Sequence, residues 1–336
     1  MSAARVITVG GAAGRAGETI SGFIDVPEAQ DPGARIPVTV VTGARDGPVL
    51  ALVAGVHGSE PSPIIALQRV RAELDPSALG GTVILVHVAN LPSFSRRTVY
   101  RGPWDQKNLN RVFPGKPDGT ASERIAHAIT TQVIDQCDYL VDMHSGDANE
   151  ALRPYSYWNQ LGVDDRVDAM ARDMALAFGL DHIVVDRGRP RDLAATLYCS
   201  NTAHARGKPA VTTEAGEVGV PTADMVASNV HGAFRVMRWL DMLPGVRERV
   251  EHPCWLEPAE VITSPGTGTW HPSVKPNHYV LRGALLGRLT DYFGDLIAEV
   301  RSPIDGIVLY MVVSPAMSEG EPIGMVGTPS SVIAEH

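Results

Sequence analysis

The segment Pro48-Val49-Leu50-Ala51-Leu52-Val53-Ala54 is apolar without alternation, and it gives way to Gly55-Val56-His57-Gly58-Ser59-Glu60-Pro61. A short unbroken apolar run suits a strand buried on both faces, which calls for a sheet covered by helices on either side. Pro61 onward reads as a helix, so His57 and Glu60 sit at a strand-to-helix turn. Gly55 and Gly58 permit close backbone approach there, and an imidazole and a carboxylate one helical turn apart can face a single point. The pair offers two of the three protein ligands that a catalytic zinc needs, with one position left for water. A second reading stays open, because Glu60 also suits the first turn of a helix, where the dipole favours an acid.

Two further strand-like runs end in polar residues. Cys137-Asp138-Tyr139-Leu140-Val141 leads into Asp142-Met143-His144-Ser145-Gly146, after a predicted helix from about Ala121 to Gln136. In a parallel sheet the carboxyl ends of the strands share one edge, where open α/β sheets place their sites. His144 is thus a third ligand candidate, and Asp142, on the same strand face, can orient a ligand from behind. A strand cap and a turn residue account for the same pair equally well. Lys208-Pro209-Ala210-Val211-Thr212-Thr213 stops at Glu214, a carboxylate able to take a proton from water and pass it to a departing amine. Glu217 lies beyond Gly216 in a predicted loop and reads as solvated.

Between these sites runs a basic, aromatic stretch from Arg96 to Gly115. Loops of this length in a compact domain are functional or disordered, and the aromatic residues argue against disorder. Asn110 and Arg111 can hold a substrate carboxylate, with arginine as a bidentate donor. Arg101 can polarise a carbonyl and stabilise the oxyanion that forms. Solvated arginines on a surface loop remain the alternative.

The order of these motifs, His57 to Glu60, Asn108-Leu109-Asn110-Arg111-Val112-Phe113-Pro114-Gly115, Asp142 to Gly146 and Thr213-Glu214-Ala215-Gly216, resembles the succinylglutamate desuccinylase/aspartoacylase family of the zinc carboxypeptidase superfamily. The resemblance runs from about Gly22 to the C-terminus. It implies one zinc per subunit on His57, Glu60 and His144, a general acid/base at Glu214, and substrate contacts at Asn110 and Arg111. Arg101 is the oxyanion candidate, although its spacing from Asn110 does not match every relative. Relatives that act on acidic substrates also use an arginine about ten residues before the catalytic glutamate and a C-terminal tyrosine. Arg206 is the candidate for the first; Ala316-Met317-Ser318-Glu319 offers nothing for the second. This argues against N-acetylaspartate and succinylglutamate as substrates. Other members remove acyl groups from related amides, N-acetyl-diaminobutyrate among them, and the resemblance points to a homo-oligomer acting on a small N-acyl amino acid. A carboxypeptidase with the same site and a non-enzymatic binding protein on a hydrolase scaffold are the competing readings. A serine hydrolase is disfavoured, since no Gly-x-Ser-x-Gly occurs at these strand ends.

The fold class expected is α/β, a mixed, mostly parallel sheet flanked by helices, with a small C-terminal β-sandwich or barrel. The helix predicted from about Ala223 to Leu243 is followed by charged and proline residues at Glu251 to Pro258, which divides a catalytic domain, 1–255, from a β-rich module, 256–336. From Ser264 to Gly327 the chain shows short β-like runs with frequent turns. Ser302-Pro303-Ile304-Asp305-Gly306-Ile307-Val308 resembles half of a biotinyl or lipoyl carrier, but no lysine stands where a carrier is modified, so the module is expected to cover the site or mediate assembly. A net charge of −9 provides no field for nucleic acid, and no apolar stretch is long enough to span a membrane. The first residues, Met1 to Val6, lack a signal-peptide core, and Cys137, Cys199 and Cys254 are few and scattered. Both features point to the cytoplasm. Gly10 to Gly17 lacks dinucleotide-binding spacing.

Overall fold

Strand β5 (Arg45–Ala54) shows why the first apolar run does not alternate: Leu50, Leu52 and Ala54 enter one hydrophobic core, while Val49, Ala51 and Val53 enter another on the opposite face. Burying each leucine contributes about 1.5–3 kcal/mol, so a polar residue at either parity is selected against. The structure, a computed structural model, describes residues 6–331. The signal-peptide reading of the first residues and the far end of the predicted C-terminal module fall partly outside that range.

Before β5 come β1 (Thr8–Val9), β2 (Ala12–Ala13), β3 (Glu18–Val26) and β4 (Ala34–Thr42). After it run α1 (Pro61–Glu73), β6 (Gly80–Val86), α2 (Leu91–Arg96), α3 (Ala121–Ile129), β7 (Tyr139–His144), β8 (Glu150–Leu152) and β9 (Tyr155–Asn159). Then follow α4 (Asp165–Phe178), β10 (His182–Asp186), α5 (Cys199–Ala205), β11 (Ala210–Glu214) and α6 (Ala223–Trp239). The C-terminal part holds β12 (Cys254–Thr263), β13 (Gly268–Pro272), β14 (Tyr279–Val280), β15 (Leu285–Thr290), β16 (Leu296–Arg301), β17 (Gly306–Val312), β18 (Ala316–Met317) and β19 (Pro322–Pro329).

The main sheet has the order β14-β17-β19-β12-β10-β9-β11-β7-β5-β6-β4-β3, with β8 on β17. The sheet is mixed, as expected, but it is not mostly parallel, because the N-terminal strands, the β11–β9 pair and the C-terminal strands all join it by antiparallel pairing. Parallel pairing joins β6, β5, β7 and β11, and again β9, β10 and β12, whereas both ends of the sheet are antiparallel. Helices α1, α4 and α6 pack on one face through Ile64, Leu67, Met174, Val230 and Val236, and α3 packs on the other through Ile125 and Ile129. The helix predicted to reach Gln136 is α-helical to Ile129 and continues as a π-helical turn, Thr130–Ile134. Helix α6 stops at Trp239, four residues short of expectation.

The main sheet passes without a break into the C-terminal part. Residues Cys254 to Leu256 of β12 pair in parallel with β10, and the remainder of β12 pairs antiparallel with β19. The expected division between 255 and 256 falls inside this strand. A four-stranded sheet, β16-β15-β13-β18, packs on the outer strands around Trp270, Leu286, Leu289, Val308 and Met311. No helix among the described residues is long and apolar enough to cross a membrane.

A polar chain crosses the outer strands: Arg71 Nε donates to Ser21 Oγ at 3.1 Å, Ser21 Oγ lies 2.8 Å from Thr39 Oγ1, and Thr39 Oγ1 lies 2.8 Å from His87 Nε2. Burial, aided by Arg71, holds the His87 imidazole down to about 4. The unfolded chain takes that proton near pH 6.5 and the folded one only near 4, so this contribution to stability is complete above about 6.5 and is lost as pH falls toward 4. The thermal midpoint should fall through that window, and His87→Gln should make the fall shallower; equal slopes in the two proteins would contradict this account.

Candidate metal centre

Strands β7, β5 and β11 are parallel neighbours, so their carboxyl ends lie together, and in this register Glu214 stands beside His144 and Ala54 beside Met143. The ladder runs on past the strand ends: Ala215 N–H donates to His144 O at 3.0 Å and Gly146 N–H to Gly216 O at 2.8 Å. Three residues after Ala54 the chain presents His57, and Glu60 occupies the position that caps α1. Its carboxylate does not cap the helix. Instead Glu60 Oε1 lies 2.8 Å from His57 Nδ1, and Oε2 lies 2.9 Å from His144 Nδ1. The dipole reading of Glu60 gives way to a carboxylate shared by two imidazoles. Gly58 is required between them, because a Cβ there would stand 2.2 Å from the backbone nitrogen of Phe94.

The outer nitrogens of both rings are engaged. His57 Nε2 lies 3.1 Å from Asn108 Oδ1, and His144 Nε2 lies 3.1 Å from Asp142 Oδ1. An Nε2–H directed at these oxygens leaves each Nδ1 lone pair facing Glu60, the outer support usual for metal-binding histidines. The ligand atoms of His57, Glu60 and His144 all lie within 4.8 Å of one another. Despite its 2.9 Å approach to a ring nitrogen, the buried Glu60 Oε2 has no hydrogen bond of normal geometry. Such electron pairs converging on one point fit a divalent cation, and two histidines with one glutamate are a donor set suited to zinc.

The electrostatics agree. Burial alone would lower His57 and His144, but for His57 the carboxylates of Glu60 and Asp147, and for His144 those of Asp142 and Glu60, outweigh it and push both above the ordinary range. Burial would raise Glu60, yet His144 and His57 bring it down to about 2. The cluster attracts positive charge strongly.

The buried His144 lies 2.9 Å from Glu60 Oε2, and His57 and Glu60 line a cavity of about 530 Å³. Glu214 lines it, and burial, reinforced by the carboxylates of Glu60, Glu150 and Asp147 against the pull of His144, pushes its carboxyl well above the ordinary range. Arg111 lines it too, donating through Nη1 to Asn110 O at 2.7 Å and stacking 4.7 Å from the Tyr198 ring centroid. Arg101 stands at the mouth, paired with Glu321 at 3.3 Å. Asn110 lies underneath: its Oδ1 accepts from Cys199 N–H at 2.9 Å and its Nδ2 lies 3.4 Å from His144 Nε2. Glu217 accepts from Leu152 N–H at 3.2 Å and does not line the cavity.

Arg206 is elsewhere, at the end of α5, with Nε 3.5 Å from Asp135. The C-terminal part does supply a tyrosine, Tyr310 on β17, and Tyr155 and Tyr157 on β9 join it in the wall. Sequence reasoning passed over these three, and also Asn108, Asp147 and Glu150. The acidic pair was within reach, since both residues follow His144 closely, in the turn after a strand end.

The catalytic-domain model for succinylglutamate desuccinylase/aspartoacylase matches residues 46–240, which contain His57, Glu60, Asn110, Arg111, His144 and Glu214. The chain belongs to the succinylglutamate desuccinylase/aspartoacylase family. It is 29% identical over 317 residues to an N-alpha-acetyl-L-2,4-diaminobutyric acid deacetylase of Halomonas elongata, covering 91% of this chain and 90% of that protein. It is also similar to the product-bound structure of the ectoine utilization protein EutE (DoeB) from Ruegeria pomeroyi, at 28% identity and a TM-score of 0.81 over 92% of this chain and 95% of that one. A succinylglutamate desuccinylase/aspartoacylase structure from Rhodobacter sphaeroides matches at 25% identity and a TM-score of 0.80, over 93% and 95% of the two chains. Agreement over nearly full lengths means that the C-terminal part is shared along with the catalytic domain.

The Asp142 contact to His144 generates a prediction. Asp142→Asn should weaken zinc binding by about 10–100-fold, as measured by competition with a chromophoric chelator, while the protein stays folded. Unchanged affinity would remove Asp142 from ligand support.

Proposed function

We propose that the protein is a zinc-dependent amidohydrolase that removes the acyl group from a small N-acyl amino acid, releasing a carboxylate and an amine. The observation that carries this reading is the cluster of His57, Glu60 and His144 at a cavity lined by Glu214, whose carboxylate has no lysine or arginine partner among the described residues. The activities named for the related proteins support the same reaction class. In this reading a zinc ion held by His57, Glu60 and His144 supplies Lewis acidity and makes water a better nucleophile at neutral pH.

The chain's own groups do the rest. Glu214 takes a proton from the attacking water and delivers it to the leaving nitrogen; its raised carboxyl suits both halves of that task. Arg111 has no carboxylate partner among the described residues and holds the substrate carboxylate, presented by its stacking on Tyr198. Asn110 fixes the segment that carries Arg111 by accepting from Cys199 N–H through its Oδ1. Arg101 is the oxyanion donor in this scheme, and it has to exchange Glu321 for the substrate oxygen to act. Tyr310, Glu321 and Pro322 close one side of the cavity, which favours small amides over the peptides that a carboxypeptidase admits. A homo-oligomeric state and a cytoplasmic setting belong to the same reading.

Chelation should abolish hydrolysis of N-acyl amino acids, and zinc should restore it. Glu214→Gln should retain the metal, by elemental analysis, while turnover drops about 10²–10⁴-fold. Hydrolysis that survives chelation, or a Glu214→Gln protein with undiminished turnover, would defeat the proposal.

A further inference from the structure

Arg111 is exposed, and a long, mobile guanidinium side chain loses affinity to the ordering that a bound substrate demands. Its Nη1 donates to Asn110 O at 2.7 Å, which fixes one edge of the group. The other support is the Tyr198 ring, whose centroid lies 4.7 Å from the guanidinium carbon. A second guanidinium stands over the same ring. The Arg189 carbon lies 3.8 Å from the Tyr198 centroid and 5.5 Å from that of Tyr157, a residue of the cavity wall. Neither Tyr198 nor Arg189 lines the cavity, so neither touches a substrate there, and the reaction proposed above leaves Arg189 without a task.

The fold holds both residues firmly. Of the three arginines in Arg187-Gly188-Arg189-Pro190-Arg191, Arg187 and Arg191 are exposed, whereas the Arg189 side chain is only 12% exposed. Its Nε donates to Asp186 Oδ2 at 2.6 Å, which sets its place and offsets its charge, so that it does not compete with Arg111 for an anion. Tyr198 is anchored through its neighbours. Leu197 N–H donates to Phe113 O at 2.8 Å, Phe113 N–H to Leu197 O at 3.2 Å, and Cys199 N–H to Asn110 Oδ1 at 2.9 Å. These bonds fasten the residues flanking Tyr198 to those around Arg111. Leu197 also has a φ of 68°, a left-handed backbone that a bulky residue keeps only where its surroundings enforce it. Strain next to Tyr198 marks a ring whose place is set by tertiary contacts rather than by local preference.

We propose that Arg189 is a positioning residue for recognition of the substrate carboxylate: pinned by Asp186, it holds the Tyr198 ring as the platform on which the Arg111 guanidinium lies before substrate arrives. The ring attracts both cations, and the ion pair to Asp186 leaves the charge of Arg111 as the one available to a ligand. Preorganisation of this kind raises affinity by removing an ordering cost, and here it acts only on ligands that carry a carboxylate. The inference rests on the reading of Arg111 as the carboxylate contact, and it is independent of which bond is cut.

Calorimetric titration of the zinc-loaded protein with L-2,4-diaminobutyrate and with 1,3-diaminopropane isolates the carboxylate, the one group by which the two differ. The native protein should prefer diaminobutyrate, and Arg111→Gln should abolish the preference. Arg189→Gln should reduce it about 3- to 10-fold, the scale of one cation–π contact and one side chain set loose, with zinc content unchanged. Tyr198→Leu should do the same and Tyr198→Phe should not, because the ring rather than the hydroxyl makes the contact. In an Arg111→Gln background, Arg189→Gln should leave the affinity for diaminobutyrate where it was. Arg189→Gln and Tyr198→Leu each decide the matter if the other fails to fold. A preference that these variants leave unmoved, or a loss shared equally by the two ligands, overturns the positioning role while Arg111 keeps the carboxylate. A native protein without the preference, or an Arg111→Gln protein that retains it, removes the carboxylate reading of Arg111 and the positioning role with it.

Discussion

A carboxylate buried between two imidazoles is the interaction on which the rest of this structure depends. Glu60 is almost inaccessible, and so is His144. Stripping one partner from such a buried set typically costs about 3–5 kcal/mol, which is comparable to a sizeable share of a domain's stability. The surroundings conform to it. Gly58 allows α2 to approach the loop that carries His57 and Glu60, Asn108 and Asp142 engage the outer ring nitrogens, and Gly216, at a φ of 121°, leaves room for Ser62 at the start of α1 where a Cβ would lie 2.4 Å from its Oγ. Parallel register does the remaining work, since His144 and Glu214 are neighbours because β7 and β11 end in step.

The C-terminal part is joined to this centre by the sheet itself. Strand β12 pairs with β10 at one end and β19 at the other, and β8, in the turn after the His144 strand, pairs with β17. Those pairings bring Tyr310 and Glu321 to the cavity. The bridge from Arg101 to Glu321 spans the mouth between the long central loop and the C-terminal strands. Both side chains are substantially exposed, so the bridge adds little stability and is easily exchanged for another partner. The loop itself is ordered by Ser59 donating to Val99 O at 2.6 Å and by Asp105 accepting from Ser122 N–H at 2.8 Å.

Much of the core of the site is legible in the chain because each piece is local. Unbroken apolar runs that stop at polar residues mark strand ends, and strand ends of a parallel sheet share an edge; His57, Glu60, His144 and Glu214 all announce themselves in this way. The residues that escape are those whose position depends on pairing between distant segments. Asn108 and Asn110 are equivalent in sequence, and only the turn at Leu109–Arg111 sends one to the cavity lining and the other beneath His144. Spacing directs the expected tyrosine to the neighbourhood of Ala316, whereas the wall phenol comes from Tyr310, whose neighbours on β8 and β19 are set by sheet order. Arg206 matched by distance along the chain but points to Asp135.

The sequence by itself determined the strand-to-helix turns, the donor types at the strand ends, the layered α/β class and the excess of negative charge, because these follow from local periodicity and residue chemistry. Tertiary structure alone decided that the sheet continues through β12 into the C-terminal part, that Arg101 faces Glu321, and that Asp147, Glu150 and Ser145 line the same cavity. The physical reason is that hydrogen-bond pairing between strands far apart in the chain fixes which loops meet, and neither composition nor spacing encodes that choice in a form readable one segment at a time.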